Sequence, residues 1–202
     1  MSDHGDAFFE SRRFEQLSNT IFGVAMTLLA YSFPREQLTS ADPDWRSIAH
    51  NYMPHLIALL LGFVIAGLFW FSHQRRLAYA PGMSRASVLI NLLFLLSIVM
   101  LPVTTGLYGA YPNAPDIVDL YACHLVLISF FNLVLWWLAI SKSDEWHLMG
   151  ASITTSVIFV IAAIVAPFAP GVTRYIWMIG FIAPFVAARA ERLARRGRNT
   201  TA

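Results

Sequence analysis

The fold of this chain is decided by the stretch RFEQLSNTIFGVAMTLLAYSF, residues 13–33. It opens with charged and polar residues and passes directly into an uncharged apolar run. Thr20, Gly23 and Thr27 follow one another at spacings of three and four, so they share one face of a helix. Small and hydroxylated residues on one face let helices pack closely, or line a polar path within a membrane. A plain membrane anchor is the alternative interpretation of the same stretch.

The composition of the chain is that of a membrane protein. It is 57% hydrophobic and 13% charged over 202 residues, whereas soluble domains carry about 25% charged residues. Six apolar runs are long enough to cross a hydrocarbon core of about 30 Å. They lie near 17–33, 54–72, 86–106, 117–141, 147–167 and 172–189. The sequence therefore predicts an all-α membrane protein with a lead-in over 1–16, a transmembrane domain of six helices over 17–190 and a basic cytoplasmic tail over 191–202.

The basic residues are sorted between the two sides of the membrane. Of the fourteen Lys and Arg residues, eleven fall in the N-terminal tail, the loops after the second and fourth spans, and the C-terminal tail. Such an excess marks the cytoplasmic side, so we expect both termini in the cytoplasm and a multi-pass protein of the cell inner (plasma) membrane. A cleaved signal peptide is the alternative for the first span, because Ala30-Tyr31-Ser32 resembles a cleavage site. Four acidic residues before the apolar run argue against it.

Polar groups and prolines within the spans give further expectations. Arg75 and Arg76 end the second span, where we expect both to reach lipid headgroups. Asn91 lies in an otherwise apolar run and needs a partner on another helix. Pro102 is expected to kink or end the third helix. The longest external loop is expected over 34–53, with a turn at 40–43.

One short motif invites comparison with the carbonyl filter of tetrameric potassium channels. Residues 104–109 read TTGLYG, but the extra residue relative to TVGYG would interrupt a contiguous ladder of carbonyl groups. A glycine-containing turn is the preferred interpretation. No sequence motif of a hydrolase, metalloprotease or phosphate-binding loop is present, so no enzyme activity is expected. Neither a cofactor, a metal nor a nucleic-acid partner is expected, and the single Cys123 excludes an intrachain disulfide.

Several landmarks together resemble the transmembrane protein 175 family, in its prokaryotic single-repeat branch. That family opens its first helix with R-x-x-x-F-S-D, ends its second with a Trp and His cluster, and begins its third with N-L-x-x-L-L before a proline. The corresponding residues here are Arg13, Leu17, Ser18, Asn19, Trp70, His73, Asn91 to Leu96, and Pro102. The resemblance covers roughly the first 110 residues. Leu17 replaces the family's Phe and Asn19 its Asp, so the motif lacks one negative charge.

The resemblance implies a potassium-permeable channel assembled as a homotetramer within membrane lipid, with the first helix of each subunit lining a central pore. The family has no TVGYG filter and is gated by a hydrophobic constriction on its first helix. The corresponding residues are Val24, Leu28 and Tyr31, whose spacing allows them to share one face. Thr27 lies beside that face and could offer a hydroxyl ring to a partly dehydrated cation.

We also expect a polar network at the base of the first helix. This hypothesis pairs three residues of the first helix with three of the second and third helices. The first group is Arg13, Ser18 and Asn19, and its hydrogen-bond partners would be Trp70, His73 and Asn91. Protonation of His73 could then bias the gate, and a purely structural role is the alternative. A small-solute or proton-coupled secondary transporter would need a polar pocket within one subunit, and a membrane scaffold would need no continuous path.

Overall fold

The computed structural model describes residues 9–32, 44–79, 82–140 and 146–180. Its helices are α1 (Ser11–Tyr31), α2 (Trp45–Tyr79), α3 (Arg85–Ala110), α4 (Pro115–Ile140) and α5 (Gly150–Val165), followed by α6, which is helical over 170–180. A 3₁₀ turn, Trp146–Met149, leads into α5, and two-residue strands, β1 (Phe9–Glu10) and β2 (Gly82–Met83), pair antiparallel. The all-α class with six helices is confirmed.

Three of the described helices have the length and the apolar composition needed to cross a membrane. Among the described residues, α2, α3 and α4 are each long and apolar enough to cross one, and α5 is a shorter apolar helix. The basic tail over 191–202 and the end of the sixth predicted span lie outside the described residues. The first helix begins at Ser11, six residues before the predicted span.

Helix α2 starts earlier than its apolar run indicates. The loop predicted over 34–53 is wrong in its last part, because α2 is helical from Trp45 onwards, and the turn predicted at 40–43 lies outside the described residues. Asp44 caps this start, since its Oδ1 accepts from the Ser47 backbone N–H at 2.9 Å. Hydrogen bonds from Ser47 hold the pKa of the Asp44 carboxyl below its usual value. The larger effect comes from the Ser47 hydroxyl and the smaller one from its backbone N–H.

Helix α3 continues through Pro102 to Ala110, so the helix end predicted at Pro102 and the turn predicted for residues 104–109 are wrong, whereas a kink at Pro102 stays a prediction. Neighbouring groups make such a proline tolerable within a membrane helix. The glycines of this stretch permit close packing instead of a turn. A Cβ on Gly106 would lie 2.9 Å from the Cβ of Ser32, and one on Gly109 would lie 3.2 Å from that of Ala58.

Consecutive helices pack side by side, with α1 against both α2 and α3, α3 against α4, and α4 against α5. The bundle thus has two ends. The end that carries the turn between α2 and α3 is called here the α2–α3 end, and it also holds the start of α1. The opposite end carries the turn over 111–114 and is called the α3–α4 end. The largest apolar cluster joins α1 to α6 through side chains including Phe22, Phe69, Phe94 and Trp177.

Candidate functional site: helix α1 and its polar base

One face of α1 is fully packed within the chain. Ser18, Phe22, Ala25 and Leu29 follow at spacings of four, three and four, and all are buried. They meet α2 where it carries Gly62, on which a Cβ would lie 3.0 Å from Leu29 Cδ2. Because a glycine at this point removes the side chain that would separate the helices, α1 is held close against its neighbours.

The opposite face of α1 is uncovered in the single chain. Val24 is 52% exposed, Leu28 40% and Tyr31 67%, and these are the residues for which the sequence predicts a constriction. The neighbouring Thr27 is also exposed. Its hydroxyl donates to the Val24 backbone carbonyl at 2.8 Å, so the hydroxyl proton is used within the helix. The lone pairs of the oxygen remain available for an electropositive partner.

The base of α1 rests on a buried polar cluster at the α2–α3 end. His73 Nε2 lies 2.9 Å from Asn91 Oδ1 and 3.3 Å from Ser18 Oγ. Because an amide oxygen can only accept, Nε2 carries the proton and donates to Asn91. The imidazole stacks on Phe94 at 5.7 Å and meets the edge of Phe22 at 6.0 Å between ring centroids. The cluster therefore ties α1 to both α2 and α3.

The expectation that Arg76 reaches the headgroups is wrong. Arg76 is only 2% exposed, and its NH2 donates to Asn91 Oδ1 at 3.0 Å. Three nitrogen atoms of this cluster are buried without a hydrogen-bond partner in the described part of the chain, namely Arg76 NH1, His73 Nδ1 and Asn91 Nδ2. The sequence signal for Arg76 is its position three residues after His73, on the same helical face.

A more exposed part of the base centres on Asn19. Its Oδ1 accepts from Trp70 Nε1 at 2.9 Å and also from Gln74 Nε2. Sequence reasoning missed Gln74, although it lies one helical turn after Trp70. An amide oxygen performs the acceptor role that a carboxylate would perform here, without the negative charge. Arg13 lies exposed near the start of α1, and its place in the network stays a prediction.

A second polar cluster, which the sequence did not predict, lies beside the first. Ser72 Oγ donates to Asn132 Oδ1 at 3.1 Å and accepts from Trp136 Nε1 at 2.9 Å. Asn132 Nδ2 in turn donates to Ser152 Oγ at 3.4 Å. Because Ser72 directly precedes His73 on α2, the two clusters together connect all five helices from α1 to α5. In the described ranges, no group of three His, Cys, Asp or Glu residues is arranged to hold a metal ion.

Comparison with known proteins places the similarity in the first half of the chain. The sequence model described as "Endosomal/lysosomal potassium channel TMEM175" matches residues 13–102. Over these residues the chain is similar to the TMEM175 family. The matched stretch runs from the start of α1 to Pro102 in α3, and it contains every residue of the polar base and of the exposed α1 face. TMEM175 is a family of channels and not of enzymes.

Two known proteins extend this comparison. A potassium channel of Streptomyces collinus is 25% identical over 132 residues, a stretch that spans 63% of this chain and 64% of that protein. The crystal structure of a lysosomal potassium-selective channel TMEM175 homolog from Chamaesiphon minutus superimposes with a TM-score of 0.80 at 20% identity. That match covers 88% of this chain and 97% of the other. It shows that the six-helix arrangement is the TMEM175 fold.

Proposed function

We propose that this protein is a potassium-permeable channel in which four copies of the chain place α1 around a central pore. The observation that carries the proposal is the uncovered face of α1, which is opposite the face packed against α2 and α3. The similarity of residues 13–102 to the TMEM175 potassium channel model and the potassium channel named among the relatives support the choice of ion. Four copies around an axis would cover this face and leave the remaining helices outside it, in lipid.

Val24, Leu28 and Tyr31 form the constriction in this proposal. One copy of each residue from four chains gives three stacked rings, spread over about 10 Å at the helical rise of 1.5 Å per residue. A narrow neck of apolar side chains excludes water and so blocks ions, and a small rotation of α1 that withdraws those side chains rehydrates it. Tyr31 carries a hydroxyl and would make its ring more polar than the two aliphatic rings.

Selectivity in this proposal rests on α1 and not on a carbonyl filter. Residues 104–109 are helical, so the carbonyl groups of residues 104–107 lie within the helical hydrogen-bond pattern, the last of them accepting from the Tyr111 N–H. Gly106 of this stretch packs against Ser32 at the end of α1, which supports a packing role for it. The Thr27 oxygens would offer acceptors to a partly dehydrated cation between the Val24 and Leu28 rings.

The polar base would hold α1 at one end while the constriction moves. Ser18 and Asn19 attach the start of α1 to α2. The distribution of basic residues orients the chain so that this start of α1 lies towards the cytoplasm. In this orientation both termini lie in the cytoplasm and the constriction lies farther out along the pore. The same rule favours a cell inner (plasma) membrane location, with lipid surrounding the outer helices.

Potassium flux from liposomes tests the proposal. We expect Val24→Ala and Leu28→Ala to increase potassium efflux from loaded liposomes, because smaller rings hydrate more readily. Leu96→Ala is the matched control, since Leu96 is an equally apolar residue, 58% exposed, on α3. We expect its flux to equal that of the wild type. A wild-type protein without cation flux, and two α1 variants that also carry none, would contradict the channel.

The subunit arrangement needs its own measurement. A cysteine at position 24, introduced in a Cys123→Ser background, should cross-link chains in pairs if α1 surrounds an axis, because each cysteine forms one disulfide, and light scattering of the complex in detergent should give the mass of four chains. Cysteines at position 96 should not cross-link. A transporter with its site inside one subunit would instead give saturable flux and no cross-links at position 24.

A further inference from the structure

A cleft at the α3–α4 end lies well away from α1 and its polar base. It has a volume of about 420 Å³ and is formed by the first turns of α2, the turn before α4 and the start of α6. This volume is within the usual range of ligand sites, about 300–1,000 Å³. Its lining includes His50, Met53, Ile57, Tyr108, Asn113 and Arg174.

The polar side of the cleft is basic. Arg174 NH2 donates to Asn113 Oδ1 at 3.0 Å, which fixes the guanidinium at the cleft. Its Nε is buried and has no hydrogen-bond partner among the described residues. His50 is the second basic residue there, and the described residues that line the cleft include no Asp or Glu. A fixed guanidinium with a spare N–H fits an anion with several oxygens, phosphate above all.

The apolar side of the cleft continues along α2. Met53, Ile57, Leu60 and Val64 follow at spacings of four, three and four, and each is more than 40% exposed. They form an apolar stripe that starts inside the cleft and runs about 16 Å towards the middle of the helix. A ligand that satisfies both sides has an anionic head and a long apolar tail.

We propose that this cleft binds a phospholipid, with its phosphate on Arg174 and an acyl chain along the stripe of α2. The lipid would come from the leaflet at the α3–α4 end. It would bridge α2 and α6, both of which line the cleft together with the turn over 111–114. The site is independent of ion permeation, so binding is measurable whether or not the protein conducts.

Native mass spectrometry in detergent tests the proposal with dioleoylphosphatidylglycerol as the probe. We expect Arg174→Gln to weaken binding about tenfold, because it removes a charged hydrogen-bond donor. Arg46→Gln is the matched control. Arg46 is exposed on the first turn of α2, at the same end of the bundle as Arg174, and it does not line the cleft. This variant should bind within about twofold of the wild type. Arg174→Lys keeps the charge without the guanidinium fork and should give an intermediate affinity.

Two further probes separate the head from the tail. Dioleoylglycerol, which lacks the phosphate, should bind much more weakly than the phospholipid. Inorganic phosphate at millimolar concentration should not displace the lipid. Equal binding of lipid by the wild type, Arg174→Gln and Arg174→Lys would overturn the proposal, as would equal affinity for dioleoylglycerol. Displacement by inorganic phosphate would show a site for free anions and would also overturn the lipid assignment.

Discussion

The two faces of α1 are similarly apolar, but one is covered by other helices of the chain and the other is exposed. Phe22 and Leu29 are buried against α2 and α3, whereas Val24 and Leu28, only a few residues away, are about half exposed. Hydrophobicity along the sequence does not distinguish them, because both faces avoid charge. The difference lies in which helices the chain itself supplies as neighbours. We therefore expect the packed face to determine the stability of the subunit, and in the proposed channel the uncovered face would serve assembly and permeation.

The largest expected effect comes from Phe22→Ala. Phe22 contacts both His73 and Phe94, with ring centroids 6.0 Å from each, so its removal leaves a cavity between three helices. We expect a loss of about 3 kcal/mol in the free energy of unfolding. Denaturant titration in detergent, followed by circular dichroism, measures it.

The matched control for Phe22→Ala is Val24→Ala, two residues later on the other face. It should cost less than about 0.5 kcal/mol in subunit stability. Equal losses for the two variants would mean that the uncovered face is packed as tightly as the buried one, and the contrast between the faces would disappear.

Asn91→Leu should have the next largest effect. Asn91 Oδ1 accepts from both His73 and Arg76, and leucine would leave a buried guanidinium without an acceptor. We expect a loss of about 2–3 kcal/mol in unfolding free energy. Thermal unfolding in detergent checks the value against Leu92→Ala, an exposed neighbour on the same helix. A loss no greater than that of the control would show that Asn91 does not hold α1 to its base.

Sequence reasoning succeeded where a residue type has few physical options. A lone Asn91 in an apolar run needs a partner, and the six apolar runs require helices. It failed for Arg76, because a basic residue at a helix end normally reaches water, and only the three-dimensional position of Asn91 makes burial possible. It also failed for Gly106 and Gly109. Glycine serves turns and close helix contacts equally well, and only the position of Ser32 and Ala58 decides between the two.

Gly62→Val tests how close the packed face of α1 must be. A Cβ at this position would lie 2.9 Å from two atoms of Thr105 and 3.0 Å from Leu29, so the larger side chain must separate three helices. We expect a loss of about 2 kcal/mol in unfolding free energy from overpacking. Gly67→Ala is the control, because a Cβ at Gly67 meets nothing within 4 Å. It should be neutral or slightly stabilising, since alanine favours the helix. A neutral Gly62→Val would show that α1 can move away from α2 without cost.

Asn19 lies at the border between the two faces, and its substitution should have the smallest effect. Its Oδ1 accepts from Trp70 and Gln74, so Asn19→Leu should cost about 1 kcal/mol by removing a partly exposed acceptor. Asn19→Asp keeps both hydrogen bonds and should change unfolding free energy by less than about 0.5 kcal/mol. The added negative charge at the cytoplasmic end of the proposed pore should, however, raise cation flux at low salt and lose this effect at high salt. Parallel unfolding and liposome flux measurements on the two variants separate the acceptor from the charge. Equal destabilisation by leucine and aspartate would mean that this position needs the amide itself, and that the hydrogen bonds from Trp70 and Gln74 do not explain why it is polar.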